Sequence, residues 1–103
     1  FREYKVTKNA NQMCFLIGIT YFTGNNNSLK IQINGHTDNV GSNESNLILS
    51  TNRAKAVKEF LIENGILANR LSHKGFGKTK PIESNLMERG RRNNRRTEFV
   101  ILN

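Results

Sequence analysis

The chain contains a single aspartate, Asp38, and its sequence surroundings give it the clearest chemical role. Asp38 follows the alternating apolar pattern Ile31 to Gly35, which is typical of a strand, and opens a turn rich in Asn, Gly and Ser. Arg53 lies about one turn inside the helix predicted next. A carboxylate at a strand end and a guanidinium near a helix start can face one small volume, which would accept an ammonium and a carboxylate together. This pair predicts a receptor for a zwitterion rather than a catalyst.

Further polar side chains lie near this pair in the sequence. Thr37, Asn46 and Ser50 are candidate ligand contacts, and the N-terminal end of the helix would add free N–H groups that favour an anion. His36 is assigned a supporting role, because a lone histidine beside a strand end is more often a hydrogen-bonded structural residue. The alternative is that the carboxylate and the guanidinium only neutralise each other or cap backbone groups.

Short motifs along the chain occur in an order that is found in one known family. They are Gly35-His36-Thr37-Asp38, Gly41, Asn46, Leu49-Ser50, Arg53-Ala54, Gly75-Phe76-Gly77, Pro81, Gly90-Arg91 and Asn94-Arg95-Arg96-Thr97-Glu98. Residues 30 to 102 therefore resemble the peptidoglycan-binding domain shared by OmpA, the Pal-type lipoproteins and the MotB-type flagellar stators. Thr97 departs from the family pattern, which usually has an aliphatic residue there, and this affects a strand position rather than the site.

The resemblance implies a ligand and a location. In the family, the aspartate and the arginine of these motifs grip the two charged groups at the free end of diaminopimelate in the wall peptide, and by position they are Asp38 and Arg53. It implies a noncovalent cell-wall anchor with no enzymatic activity and no cofactor. It also implies a periplasmic domain of an outer-membrane protein or lipoprotein in a Gram-negative envelope. The expected partner is peptidoglycan, with no nucleic acid, and homo-oligomerisation of a membrane-associated parent would add avidity.

The predicted fold is a two-layer α/β sandwich of βαβαβ type, with a small mixed sheet and helices on one face. Residues 1–103 form one domain by size, which we expect to be excised from a larger envelope protein. The two strands and the helix between them, residues 30 to 76, should form a right-handed βαβ unit. The predicted strands are Gln12–Phe22, Lys30–His36, Leu71–Phe76 and Thr97–Leu102. A helix is predicted over Asn46–Asn64, with Asn46 or Ser50 capping its start and Asn64-Gly65 ending it. The loop Gly77–Arg89 is predicted to contain a helical turn near Ser84–Glu88.

One connection is too short for this topology. Seven residues separate Phe22 from Lys30, whereas parallel strands need a connection of a dozen or more, and the family has a helix there. We therefore expect a segment containing this helix to be missing between Gly24 and Asn27. The alternative is a hairpin through residues 23–28, which would make the first two strands antiparallel neighbours.

The cysteine content and the short motifs of the sequence argue against several other classes of function. Cys14 is the only cysteine, so no intrachain disulfide can form, and we expect it to fill core space. The apolar run from residue 13 to 22 is about half a membrane span. The Gly-Phe-Gly at residues 75–77 lacks the third glycine of a dinucleotide loop, and neither a zinc cluster nor a catalytic carboxylate pair is evident.

Basic residues concentrate towards the C-terminal end of the chain, and the formal net charge is +8. This basic cluster could be a solvated face, could attract the carboxylate-rich wall, or could bind a polyanion such as nucleic acid or an acidic membrane. Phe76 is its only aromatic residue, so no base-stacking platform is visible. Arg95 or Arg96 could also pair internally with Asp38 or Glu98 and support the site. The cluster holds nine of the sixteen Lys and Arg residues: Arg70, Lys74, Lys78, Lys80, Arg89, Arg91, Arg92, Arg95 and Arg96.

Overall fold

Four strands and two α-helices make up the part of the chain described by this computed structural model, which is residues 3–8 and 29–102. A short 3-10 helix, Ala68–Arg70, precedes the third strand. The elements are β1 (Glu3–Lys8), β2 (Lys30–Gly35), α1 (Asn43–Glu63), β3 (Leu71–Gly75), α2 (Glu88–Asn94) and β4 (Thr97–Leu102).

The strands form one mixed sheet in the order β1, β4, β2, β3. β2 and β3 are parallel and are joined through α1, whereas β4 lies between β1 and β2 and is antiparallel to both. This confirms the predicted βαβ unit and the α/β sandwich with a small mixed sheet. β1 was not predicted from the sequence, and it extends the sheet beyond β4.

The core lies between α1 and one face of the sheet. Ile31 and Ile33 alternate along β2 and are almost fully buried, as expected for side chains two residues apart on one face. From α1, Ala54, Val57 and Leu61 meet them at helical spacing. Burying a valine, leucine or isoleucine side chain stabilises the fold by about 1.5–3 kcal/mol. The cluster comprises Leu29, Ile31, Ile33, Ala54, Val57, Leu61, Ile66, Leu71, Phe99 and Ile101.

Helix α1 begins earlier than predicted and ends as predicted. Ser42 is its N-cap, and the Ser42 hydroxyl accepts a hydrogen bond from the backbone N–H of Ser45 at 3.1 Å. The prediction that Asn46 or Ser50 starts the helix is therefore wrong, and both side chains lie on its buried face. Asn64 is the C-cap, which confirms the predicted stop.

Two glycines let α1 approach the sheet closely. A Cβ atom on Gly35, at the end of β2, would collide with the carbonyl of Ser50. A Cβ on Gly75, at the end of β3, would collide with the side chain and backbone N of Thr51. The backbone of α1 therefore rests directly on the carboxyl ends of both parallel strands, where the site residues follow.

Residues 85 and 86 form a turn within the range predicted for a helical turn, Ser84–Glu88, but the regular helix of this region, α2, begins only at Glu88. Met87 is in an extended conformation. The fully buried Asn94 side chain accepts hydrogen bonds from the N–H groups of Ile82 and Glu83 and so holds residues 82 and 83 as a loop.

Three expectations lie outside the described residues: the strand Gln12–Phe22, the segment missing between Gly24 and Asn27, and the packing of Cys14. Among the described residues, none of the helices combines the length and the hydrophobicity needed to cross a membrane.

Candidate functional site

Asp38 lies in the loop that connects β2 to α1, beyond the carboxyl ends of the two parallel strands. Its side chain is only 12% exposed. Oδ1 accepts a hydrogen bond from the backbone N–H of Val40 at 3.0 Å, which fixes the carboxylate within its own turn. The carboxylate is therefore largely buried and held in one orientation.

Backbone hydrogen bonds join this loop to the loop that follows β3. The N–H of Thr37 donates to the carbonyl of Gly77, and the N–H of Phe76 donates to the carbonyl of Gly35, both at 2.9 Å. The ammonium of Lys78 donates to the carbonyl of Gly41, also at 2.9 Å. These contacts hold the Asp38 turn in place from its neighbouring loop.

Arg95 is the ion-pair partner of Asp38. Its Nη1 lies 2.6 Å from Asp38 Oδ2, and its Nη2 lies 2.6 Å from Glu88 Oε1 at the start of α2. The expected internal pairing of Arg95 is therefore present. Partial burial opposes ionisation of Asp38, but the N–H of Val40 and the guanidinium of Arg95 outweigh it and lower the pKa of Asp38. Asp38 is a carboxylate at neutral pH.

Arg53 is exposed on α1, and no ion pair joins it to Asp38 in the described structure. Because α1 begins at Asn43, Arg53 lies nearly three turns inside the helix, not one turn as expected. Its Cα is about 15 Å along the axis from the helix start, so the free N–H groups there are not beside it. Arg53 follows Asn46 by seven residues and Ser50 by three, which places it beside the buried stripe of α1.

The three further candidates are buried and form internal hydrogen bonds. Thr37 donates from its hydroxyl to the carbonyl of Asp38 at 2.9 Å, and Asn46 donates from its amide to the carbonyl of Val40 at 2.8 Å. The Ser50 hydroxyl is fully buried and accepts from the N–H of Gly77 at 2.8 Å. All three shape the loops around Asp38, and their direct contact with a ligand stays a prediction.

His36 belongs to a buried charged cluster on the sheet face opposite α1. Its ring stacks on Phe76 with centroids 5.2 Å apart, and its Nε2 lies 3.3 Å from Glu98 Oε1. Glu98 in turn pairs with Arg96 at 3.0 Å, which is the second internal pairing expected from the sequence. Burial and the charge of Arg96 lower the pKa of His36 despite the nearby Glu98 carboxylate, so the ring is neutral at pH 7. These contacts are structural.

The basic cluster does not form one free surface in the described structure. Arg95 and Arg96 are in ion pairs, and Lys74 and Lys80 place their ammonium groups 5.0 and 4.7 Å from the Phe76 ring centroid. The alternative function as a polyanion-binding module therefore gains no support. No group of described residues has the composition of a metal site.

Two contributors to the site were missed by sequence reasoning. Glu88 is exposed and its pKa is lowered, first by its hydrogen bond with Arg95. Lys78 binds the Asp38 loop through a backbone carbonyl. The seven-residue spacing from Glu88 to Arg95 was a usable signal, because residues two turns apart share a helix side. The carbonyl contact of Lys78 has no sequence signal.

The fold and the site together define a class: a two-layer α/β domain that presents a fixed carboxylate and an exposed guanidinium near the carboxyl edge of its sheet. The chain belongs to the OmpA family, whose model matches residues 5–95. This confirms the resemblance inferred from the motifs.

Individual relatives agree with this assignment. The chain is 42% identical over 72 residues to the peptidoglycan-binding protein ArfA of Mycobacterium tuberculosis, covering 70% of this chain and 22% of ArfA. It is 44% identical over 68 residues to outer membrane protein A of Bordetella avium, covering 66% of this chain and 35% of that protein. The chain therefore spans only about a fifth to a third of the length of these relatives.

A solved structure matches over nearly the whole chain. It is the peptidoglycan-associated lipoprotein of Burkholderia pseudomallei, with a TM-score of 0.84 and 27% identity, and the match covers 95% of this chain and 89% of that one. The similarity is in fold and sequence together.

Proposed function

We propose that this domain binds peptidoglycan noncovalently through the diaminopimelate end of its stem peptide. It thereby anchors an outer-membrane protein or lipoprotein to the cell wall, on the periplasmic side of a Gram-negative envelope. Relatives named as a peptidoglycan-binding protein, an outer membrane protein and a peptidoglycan-associated lipoprotein support this role. Their family gives no reason to assign an enzymatic activity. The observation that carries the proposal is a pre-fixed, ionised Asp38 with the exposed Arg53 on the adjoining helix.

The two side chains match the two charges at the free end of diaminopimelate. An ionised carboxylate such as Asp38 can only accept hydrogen bonds, which suits the ligand ammonium. The guanidinium of Arg53 can bind the ligand carboxylate through two parallel hydrogen bonds. A lysine side chain would offer the ammonium without the carboxylate, so a lysine-type stem peptide should lose the contact with Arg53.

A single contact of this kind is weak. Each charge-assisted hydrogen bond contributes about 1.5–3 kcal/mol, and ordering the ligand offsets part of that gain. We expect a Kd on the order of micromolar to millimolar for one stem peptide. Repeated stems in the wall and several copies of the parent protein in one membrane would supply avidity.

Co-sedimentation with purified diaminopimelate-type sacculi at physiological salt tests the proposal. Asp38→Asn and Arg53→Gln change one charged group each with little change in size, and both should reduce pelleting strongly. Arg92→Gln is a matched control, because it removes an exposed arginine from α2 and should pellet like the unmodified domain. Circular dichroism and thermal melting confirm that the variants are folded.

The result that contradicts the proposal is equally clear. Unchanged pelleting of both site variants, with loss in the Arg92→Gln control, would show that the basic residues and not the zwitterion site bind the wall. Equal pelleting with lysine-type sacculi would remove diaminopimelate as the ligand.

A further inference from the structure

Two linked ion pairs lie at the edge of the site and join three side chains in the order Glu88, Arg95 and Asp38. We propose that Arg95 is an internal competitor for the cation position on Asp38. When the ligand ammonium binds, it displaces one end of Arg95 from Asp38 while the other end stays on Glu88. This inference rests on the proposed function, and it assigns to Arg95 control over the affinity of the same site.

The geometry places the competing cation where the ligand must bind. Asp38 Oδ1 is already bonded to the N–H of Val40, and Oδ2 is held by Arg95 at 2.6 Å. Because the Asp38 side chain is only 12% exposed, little other carboxylate surface is accessible. An ammonium that binds Asp38 strongly must therefore approach the oxygen that Arg95 occupies.

Arg95 is able to leave Asp38 without losing every partner. Its side chain is 35% exposed, and the side chain of Glu88, the second partner, is 53% exposed. The two carboxylates bind different nitrogens, Nη1 for Asp38 and Nη2 for Glu88. A small rotation of the arginine side chain can break the first contact and keep the second.

This exchange affects which ligands bind. Replacing one cation on Asp38 by another leaves the number of ion pairs at that carboxylate unchanged, so an ammonium alone gains little. The additional contact between the ligand carboxylate and Arg53 then supplies most of the net binding free energy. An internal competitor therefore makes the site selective for a zwitterion over a simple amine.

Isothermal titration with a soluble stem peptide that ends in diaminopimelate tests the inference. Arg95→Gln should tighten binding by about two- to fivefold, which is the range expected when a partly exposed ion pair no longer has to be broken. Glu88→Gln should weaken binding, because the displaced guanidinium would then have no carboxylate to hold it. In the Arg95→Gln background, the effect of Glu88→Gln should nearly vanish.

Two controls isolate the competition. A stem peptide whose side-chain amine is acetylated carries no cation, so Arg95→Gln should not tighten its binding. Arg92→Gln removes the same charge from α2, three residues before Arg95, without touching Asp38. It should leave the affinity of the unmodified peptide within about twofold of its original value, as usual for an exposed charge.

The possible outcomes separate this inference from the proposed function. Weaker binding by Arg95→Gln would overturn it, since Arg95 would then position Asp38 or contact the ligand. An equal effect of Glu88→Gln with and without Arg95 would also overturn it, because Glu88 would act through its own charge. If Asp38→Asn and Arg53→Gln bind the peptide as tightly as the unmodified domain, the proposed function itself fails and this inference fails with it.

Discussion

The buried amide of Asn94 should make an unusually large contribution to stability for a polar side chain at a helix end. It is fully buried and forms four hydrogen bonds with the loop before α2. Its Oδ1 accepts from the N–H groups of Ile82 and Glu83 at 2.8 and 3.1 Å. Its Nδ2 donates to the carbonyl of Glu83 and to the side chain of Asn85 at 2.9 and 2.8 Å.

Replacing Asn94 by alanine removes all four bonds at once. Each bond contributes a net stabilisation of about 0.5–1.5 kcal/mol, and water can replace part of the lost hydrogen bonding at the more exposed loop groups. The free energy of unfolding should therefore decrease by roughly 2–4 kcal/mol. For a domain of this size, that corresponds to a melting temperature about 8–30 °C lower.

Urea unfolding followed by circular dichroism measures this difference, and Asn93→Ala is the matched control. Asn93 is the preceding residue of the same helix, and its side-chain contact is with the exposed carboxylate of Glu83. The control should lose less than about 0.5 kcal/mol, as usual for a surface substitution. Equal losses for Asn93→Ala and Asn94→Ala would refute the view that the buried amide holds the loop.

Two further predictions concern buried groups near the site. Ser50→Ala should lower the free energy of unfolding by about 1–3 kcal/mol, because the buried N–H of Gly77 loses its acceptor. Denaturant unfolding measures this loss, with the exposed Ser72→Ala as the control. Matching unfolding curves for the two variants would contradict the prediction. Because the pKa of His36 is lowered in the folded state, the unfolded chain takes up the proton first as the pH falls below about 6.5. The free energy of unfolding should therefore decrease from pH 7.5 to 5.5, by at most about 1.4 kcal/mol per pH unit. Thermal melting should show a flatter dependence of stability on pH for His36→Gln than for the unmodified domain. An identical pH dependence would rule out His36 as the cause.

Local sequence patterns predicted those elements whose burial follows from a regular period. β2 alternates clearly, β4 contains a short run of aromatic and aliphatic residues, and α1 has its core residues at helical spacing. These elements were therefore predicted within a few residues of their ends. The start of α1 was predicted too late because several polar residues in succession could cap it, and only the hydrogen bond of Ser42 decides among them.

Elements stabilised by distant contacts were not predictable in this way. α2 has no apolar periodicity, and the buried amide of Asn94 and the packing of Gly90 against Ser84 define its position. The sequence did not decide which of Arg95 and Arg96 would form an ion pair with Asp38 and which with Glu98. Arg96 immediately precedes β4, two residues before Glu98, so the two side chains lie on the same side of the extended chain and pair, whereas Arg95 pairs with Asp38 in the neighbouring loop.

The position of β1 has a mechanical consequence. β1 runs in the same direction as β2, with Glu3 opposite Leu102 at the end of the sheet that is remote from Asp38. A pull that enters at Glu3 while a wall ligand is held at Asp38 runs along the strands. It loads the six paired residues of β1 and β4 together in shear, whereas a perpendicular pull would peel them apart one pair at a time. If the proposed wall contact at Asp38 is correct, a force applied at Glu3 would thus load this sheet in its more resistant direction.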